Sequence, residues 1–339
     1  MNKVQILDFL LTHASANIKY RINRDILGVP IETPEMQNLY EQILRLPKIK
    51  KAFSAQKENG FIGKESHGGF PGGFDTTLYE ILRNGVELSH PVLQRAKQAV
   101  LNWQENPDEY YFHGCKAMEE AGRGGITAIV INLMIILQCD ENTPFLQEQI
   151  NLALKYFHGA LEHKSLDDFS KEFTHNGQKL RYYIKNTTFP GRDNLHLLEN
   201  TKSWRTPENE TMVKKSLAHC KELMKDYIGC IFVKSPHIVG PFNINWHPRG
   251  EILNLDEFRD EPIDFAWWMR GMWNAKPGCR VDKALTDWIF IDDILSVLPD
   301  KYVYMFKRYV SIEPSWRKTE SKLCDFYMPA LLVLHYAET

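Results

Sequence analysis

P-E-M-Q at residues 34–37 has three counterparts further along the chain: P-V-L-Q (91–94), P-F-L-Q (144–147) and P-E-N-E (207–210). Each opens an amphipathic stretch, and proline fits the first turn of a helix because its missing N–H would have no partner there. The four prolines follow one another at intervals of 57, 53 and 63 residues. Such a recurrence is typical of repeated helical hairpins joined by variable loops.

Each of the four stretches is preceded by another stretch with helical periodicity. These first helices are predicted at Ile18–Leu27, Phe74–Leu82, Gly125–Leu137 and Asp193–Leu198, and degenerate hairpins follow at Phe265–Trp273 with Asp282–Leu295 and at Cys324–Ala337. Hairpins that cannot bury their apolar faces alone must stack on one another. The sequence therefore predicts an all-α fold, a single (α/α) toroid of about six hairpins over residues 1–339. An N-terminal helix at residues 3–13 is expected to pack on the ring.

Alternation typical of β-strands is scarce in this sequence. Cys230–Val233 is the main candidate strand, and Leu180–Ile184 is a weaker one. Residues 166–178 and 234–250 have the composition of long loops.

Composition and charge exclude several classes of function. The net charge is −2, with Lys and Arg spread along the chain, so we expect no nucleic-acid partner. The longest apolar run, Ile126–Leu137, is too short to span a bilayer, so we expect no transmembrane segment. The six cysteines form no C-x-x-C pair and the N-terminus is not a secretion signal, which together predict reduced thiols and a cytoplasmic location.

The segment Q-K-E-N-G-F (56–61) carries a family resemblance. Gln56, Gly60 and Phe61 resemble, with the aromatic residue displaced by one position, the Q-x-x-x-G-x-W/F repeat of terpenoid cyclases and protein prenyltransferases. That superfamily has the α/α-toroid fold, so the resemblance implies a small apolar, isoprenoid-like ligand in a central cavity lined by aromatic side chains. The chain departs from the family because it has neither the D-x-D-D nor the D-D-x-x-D/E motif.

Three acidic residues stand near the N-terminal ends of proposed inner helices: Asp75, Asp193 and Asp325. If the ring closes, they approach one another around its mouth, where an Asp that loses water gains a raised pKa and can act as a general acid. The alternative is that each carboxylate caps its helix, since acidic groups near a helix N-terminus suit the N–H groups and the dipole.

The loop at residues 60–74 contains six glycines. Ordering glycine costs conformational entropy without burying apolar surface, which favours a functional loop whose backbone approaches a ligand. We therefore predict His67 and Asp75 as catalytic residues in a pocket with at least one of Trp204, Trp267 and Trp316. The alternative is a mobile surface flap.

The tripeptide Ser-Trp-Arg occurs twice, at 203–205 and at 315–317. A guanidinium beside an indole can stack or bind a carboxylate or phosphate, so Trp204, Arg205, Trp316 and Arg317 are candidate substrate-binding residues. The same pair can instead anchor a turn, with the Trp buried and the Arg satisfying carbonyl groups.

Further candidate substrate-binding residues come from polar and aromatic clusters. An aromatic-lined cavity suits both carbocations and sugar rings, whereas core packing is the ordinary role of such clusters. The candidates are Tyr111, His113, Arg123, His247, Trp267, Trp268 and Arg270.

The leading functional hypothesis is a protein similar to terpenoid cyclases and prenyltransferases, with an isoprenoid-like small molecule as ligand. A polysaccharide lyase or glycosidase is a second possibility, because α/α toroids also support those activities, and a non-catalytic binding protein is a third. Paired carboxylates, or Tyr, His and Arg groups, would favour the carbohydrate-active class. The sequence predicts no metal site and identifies neither a cofactor nor an oligomeric state.

Overall fold

The computed structural model describes residues 2–112, 114–120, 124–175, 177–184, 187, 189–225, 231–232, 243–244, 273 and 300–337. These residues are mostly helical. The helices are α1 (Lys3–His13), α2 (Ala16–Asp25), α3 (Pro34–Arg45), α4 (Pro47–Ser54), α5 (Phe74–Arg83), α6 (Pro91–Leu101), α7 (Cys115–Glu120), α8 (Ile126–Ile136), α9 (Pro144–Ala160), α10 (Arg192–Glu199), α11 (Pro207–Met224), α12 (Asp300–Tyr309) and α13 (Thr319–Ala337). Short 3-10 turns lie at Trp103–Glu105, Pro107–Tyr110 and Leu166–Asp168.

The four repeated prolines each occupy the first position of a helix. They open α3, α6, α9 and α11, as the sequence predicts. The first helices of these hairpins are α2, α5, α8 and α10, each close to its predicted range. The connections within the hairpins are alike, because residues 84–90, 137–143 and 200–206 number seven each and residues 26–33 number eight. The helices of the first four hairpins are therefore confirmed. The hairpin predicted at 265–273 with 282–295 lies, apart from Trp273, outside the described residues, and the assignment of inner and outer helices stays a prediction.

The residues that precede these prolines differ in how they cap their helices. The Thr206 hydroxyl accepts a hydrogen bond from the Asn209 N–H at 3.2 Å and so caps α11. The Thr143 hydroxyl makes no such bond to α9 and is buried without a hydrogen-bond partner. The same Thr-Pro dipeptide is thus stabilising at one helix and not at the other.

We expect Thr206→Ala to lower the free energy of unfolding by about 1 kcal/mol, because it removes an N-cap acceptor. Thr143→Ala is the matched control and should cost less, since no cap bond is lost. Chemical denaturation of both variants checks this, and an equal loss for the two would contradict the assigned caps.

The chain divides into two compact units. Unit 1 comprises Met1–Ala55, Leu78–His90 and Glu251–Thr339, and unit 2 comprises Gln56–Thr77 and Pro91–Gly250. A single domain over residues 1–339 stays a prediction.

The core of unit 1 lies where α1 and α2 pack against α13. Ile6 and Leu10 of α1 are fully buried there together with Phe306 of α12 and Phe326 of α13. The rings of Phe306 and Phe326 are stacked with centroids 3.9 Å apart. The helix predicted at 3–13 is confirmed and its apolar face is covered by α13.

In unit 2, helices of successive hairpins pack on one another. The first helices α8 and α10 are in contact, as are the second helices α9 and α11. The α6 helix packs on α8, and α9 packs on α10. This is how stacked hairpins share a continuous core.

Unit 2 also contains a small sheet, with strands β1 (Ser170–His175), β2 (Gln178–Tyr183), β3 (Ile231–Phe232) and β4 (Asn243–Ile244) in that order. The β1–β2 and β3–β4 pairs are antiparallel and the β2–β3 pair is parallel. The strands predicted near 180–184 and 230–233 are confirmed. The loops predicted at 166–178 and 234–250 are corrected in part, because β1 and β4 lie within them.

Among the helices that the structure describes, none combines the length and the apolar character needed to cross a bilayer.

Candidate functional site

The loop between α4 and α5 folds back on itself. The Lys64 N–H donates to the Gly72 carbonyl at 2.7 Å, and the Phe74 N–H donates to the Glu65 carbonyl at 2.9 Å. The Asp75 N–H then donates to the Ser66 carbonyl at 3.2 Å. These bonds bring the start of α5 back beside residues 65–67.

Two glycines of this loop are required by its own backbone. Gly63 has φ +91°, and a Cβ there would lie 2.3 Å from the Gly72 carbonyl oxygen. A Cβ at Gly73 would lie 2.4 Å from the Gly68 nitrogen. A side chain at either position would clash with main-chain atoms that cannot move independently. The close approach that these glycines permit is therefore between two parts of the loop, which is a sufficient reason for them without a ligand.

A buried aromatic cluster packs within and against this loop. Phe61 and Phe74 are fully buried with ring centroids 4.7 Å apart, and the Tyr110 ring meets Phe61 edge-on at 5.2 Å. The Tyr110 hydroxyl donates to the Ala99 carbonyl of α6 at 2.8 Å. Aromatic pairs in these tilted and edge-on arrangements are favourable beyond the area they bury. The loop is thus fixed to α6 and is folded rather than a detached flap.

His67 and Asp75 form a hydrogen-bonded pair on this support. The distance from His67 Nδ1 to Asp75 Oδ2 is 2.7 Å. The Asp75 side chain is 8% exposed, whereas the His67 side chain is 55% exposed. The His67 ring also meets the Phe112 ring edge-on, with centroids 5.5 Å apart. An accessible imidazole is therefore oriented by its hydrogen bond to a buried carboxyl group.

Both carboxyl oxygens of Asp75 make hydrogen bonds at the start of α5. Asp75 lies in the first turn of α5, where the helix dipole stabilises negative charge, and its Oδ1 accepts the Thr76 N–H at 2.6 Å. An ionised carboxylate can only accept hydrogen bonds, so His67 Nδ1 must be the donor. In the neutral ring Nε2 then carries the lone pair, which is the arrangement of a general base oriented by a carboxylate.

Tyr111 is the chain neighbour of Phe112. Tyr111 is 44% exposed, and the negative charge of Glu119 raises the pKa of its phenol. The phenol therefore stays protonated at neutral pH and can donate a hydrogen bond. Because the backbone at Tyr111 is extended (φ −68°, ψ 140°), its side chain and that of Phe112 leave the chain in different directions.

The other two predicted catalytic carboxylates lie elsewhere. Asp193 is in the first turn of α10 in unit 2. Asp325 belongs to α13 in unit 1, where it is fully buried and accepts the N–H groups of Ile312 at 2.7 Å and Glu313 at 3.1 Å. A cavity shared by these two residues and Asp75 stays a prediction.

Trp204 and Arg205 anchor the end of α10. The Trp204 indole N–H donates to the carbonyls of Leu198 at 2.9 Å and Thr201 at 3.1 Å. The Arg205 guanidinium lies 5.6 Å from the Trp204 ring centroid, and its Nε–H donates to the Thr201 carbonyl at 3.3 Å. These contacts match the turn-anchor alternative, because the last carbonyls of a helix need donors from outside it. Substrate binding by the two residues is untested.

In the second Ser-Trp-Arg tripeptide, the tryptophan contacts side chains rather than helix carbonyls. The Trp316 indole N–H donates to Asp325 Oδ2 at 2.5 Å, and its ring stacks on Phe306 with centroids 5.7 Å apart. Arg317 is exposed, and its backbone N–H donates to the Ser315 hydroxyl at 3.4 Å. Trp316 thus belongs to the core of unit 1.

The remaining predicted binding residues lie outside the described part of the chain. They are His113, Arg123, His247, Trp267, Trp268 and Arg270.

Sequence reasoning missed two residues that contact the His67–Asp75 pair. Phe112 packs against the imidazole, and Thr76 binds Asp75 Oδ1 through its backbone N–H. The position of Thr76 directly after an Asp in a first helical turn is a signal that could have identified it, because hydroxyl residues there bond to nearby backbone groups.

Comparisons of this chain with protein families, with curated proteins and with solved structures found no match.

Proposed function

We propose that this protein is an enzyme in which His67, held by Asp75, transfers a proton to or from a small molecule bound at the loop 60–74. The observation that carries the proposal is the pair itself, with a 2.7 Å contact, a buried carboxyl group and a half-exposed imidazole. A general base must be oriented and must also be reachable by the substrate, and His67 meets both requirements.

The proposed scaffold is an α/α toroid similar to that of terpenoid cyclases and protein prenyltransferases. Support comes from the repeated hairpins with connections of seven or eight residues and from the contacts of α8 with α10 and of α9 with α11. On this proposal the ligand is a small isoprenoid-like molecule, with aromatic side chains around its apolar part. The resemblance at Gln56, Gly60 and Phe61 is the basis for this ligand class.

A carbohydrate-active enzyme is the second candidate, and the exposed imidazole favours it. An imidazole that is 55% exposed is a moderate base suited to deprotonating a carbon beside a carboxylate, as a polysaccharide lyase does.

The test is a comparison of two substrate panels, prenyl diphosphates with squalene and uronate-containing polysaccharides, each incubated with the wild-type protein in D2O. We expect a product from one of the two panels. The prenyl panel would give an isomerised or cyclised product that contains deuterium, and the polysaccharide panel would give an unsaturated uronate at a new chain end. His67→Gln should remove that product. If the product persists in His67→Gln, the proposed role of His67 is wrong.

A further inference from the structure

Thr76 bonds to Asp75 and to Gly68, the residue that follows His67. Its backbone N–H donates to Asp75 Oδ1 at 2.6 Å, and its hydroxyl donates to the Gly68 carbonyl at 2.6 Å. The same hydroxyl oxygen is 3.3 Å from Asp75 Oδ1, so the single hydroxyl proton is directed to the nearer Gly68 carbonyl. Gly68 immediately follows His67 in the chain.

We propose that Thr76 is a positioning residue for His67, acting through the Gly68 carbonyl and the Asp75 carboxylate. The expected effect of Thr76 on turnover rests on the proposed function, whereas its expected effect on the orientation of His67 and Asp75 does not. One oxygen of Asp75 is fixed by the Thr76 N–H, which leaves Oδ2 directed at His67 Nδ1 at 2.7 Å. The peptide after His67 is fixed by the hydroxyl, so the imidazole and the carboxylate are held by one residue.

The Gly68 peptide is packed closely on both sides. A Cβ at Gly68 would lie 2.8 Å from Glu65 Oε1, and a Cβ at Gly73 would lie 2.4 Å from the Gly68 nitrogen. The Thr76 hydroxyl adds a hydrogen bond to the Gly68 carbonyl at 2.6 Å and so fixes the orientation of the peptide that follows His67.

Thr77 provides a matched control. Its hydroxyl also donates to a glycine carbonyl, that of Gly73, at 2.6 Å. This bond is an ordinary one from a helix residue to the carbonyl four positions earlier. A threonine whose role is only to stabilise the start of α5 should therefore behave like Thr77.

The experiment compares Thr76→Val, Thr76→Ser and Thr77→Val with the wild type by 15N NMR of the histidine side chains. Val keeps the shape and the backbone N–H but lacks the hydroxyl, and Ser keeps the hydroxyl. In the wild type and in Thr76→Ser we expect the neutral His67 ring to carry its proton on Nδ1. In Thr76→Val a fraction of the Nε2–H form should appear, while Thr77→Val should leave His67 unchanged.

Turnover is the second readout. If the proposed function holds, Thr76→Val should lower kcat roughly tenfold with little change in KM, since misplacing a catalytic group affects the transition state most. Thr76→Ser should restore most of the rate. Amide spectra of every variant confirm that the compared protein is folded.

Three outcomes overturn the proposal. They are an unchanged His67 tautomer in folded Thr76→Val, equal changes in the Thr76→Val and Thr77→Val variants, and loss of the wild-type His67 signals in Thr76→Ser. The tautomer measurement needs no substrate, so it stands even if His67→Gln retains activity. That last result would refute the proposed function alone.

Discussion

His67→Gln is expected to lower the turnover number about 100-fold or more, because general acid–base groups typically contribute at least that factor. Asp75→Asn should have an effect of similar direction, since an amide at this position can donate to Nδ1 and so favours the wrong tautomer. Neither change removes much buried apolar surface, and the His67 side chain is 55% exposed. The measurement is steady-state kinetics on whichever substrate panel gives a product.

Asp168→Asn is a suitable control for these variants. Asp168 also accepts backbone N–H groups, those of Lys164 at 2.6 Å and Ser165 at 3.0 Å, but it caps the short turn at Leu166–Asp168 and lies outside the loop 60–74. We expect its kcat to match the wild type. A kcat for His67→Gln within threefold of the wild type would exclude His67 as the proton-transfer group.

Asp325→Ala is expected to have the largest effect on stability, a loss of about 3 kcal/mol or more in the free energy of unfolding. The change leaves three N–H donors without their acceptor, those of Ile312, Glu313 and Trp316, and each such loss costs about 1 to 3 kcal/mol. Urea denaturation at pH 5 checks the prediction. A loss below about 1 kcal/mol would mean that water replaces the carboxyl group.

The same carboxyl group predicts a dependence of stability on pH. Burial raises the pKa of Asp325 from 3.8 to about 7, although the N–H donors act in the opposite direction. The folded chain therefore binds this proton more tightly than the unfolded chain does. Its contribution to stability is fully present below pH 3.8 and is lost as pH rises through about 7. A pKa difference of about three units between the folded and unfolded chain corresponds to about 4 kcal/mol in the free energy of unfolding.

Asp325→Asn isolates this effect, because the amide cannot ionise. Between pH 4 and pH 8 the stability of the wild type should fall relative to that of Asp325→Asn by an amount approaching about 4 kcal/mol. Burial also raises the pKa of the neighbouring Glu313, and Glu313→Gln separates that contribution. A constant difference between the wild type and Asp325→Asn across this range would contradict the predicted protonation.

The repeat helices could be predicted because their signals are local. A proline that opens an amphipathic stretch is sufficient to identify the start of α3, α6, α9 or α11. The strand β1 was not predicted because its sequence, S-K-E-F-T-H, has a single large apolar residue, and Lys171, Glu172 and Thr174 are exposed. Its signal is the Asn176-Gly177 pair that separates it from β2, a dipeptide typical of two-residue hairpin turns.

The sequence identifies the residues of the candidate site as candidates, but it does not predict their contacts. Glycine content directs attention to the loop that carries His67 and Asp75. Their hydrogen bond depends on which backbone groups of residues 63–75 pair, and composition does not determine that pairing. The same limit applies to Trp204 and Trp316, whose repeated tripeptide gives no indication that one indole binds helix carbonyls and the other a buried carboxylate.

The pairing of α1 with α13 has a consequence for synthesis of the chain. Ile6 and Leu10 are buried against residues 306–333, and the Ser15 N–H donates to Glu313 at 2.8 Å across 298 positions. A ribosome therefore exposes the apolar face of α1 long before its covering helix has been made. Nascent chains that stall before residue 300 retain this uncovered face, which is the kind of surface that chaperones bind and that aggregates in their absence.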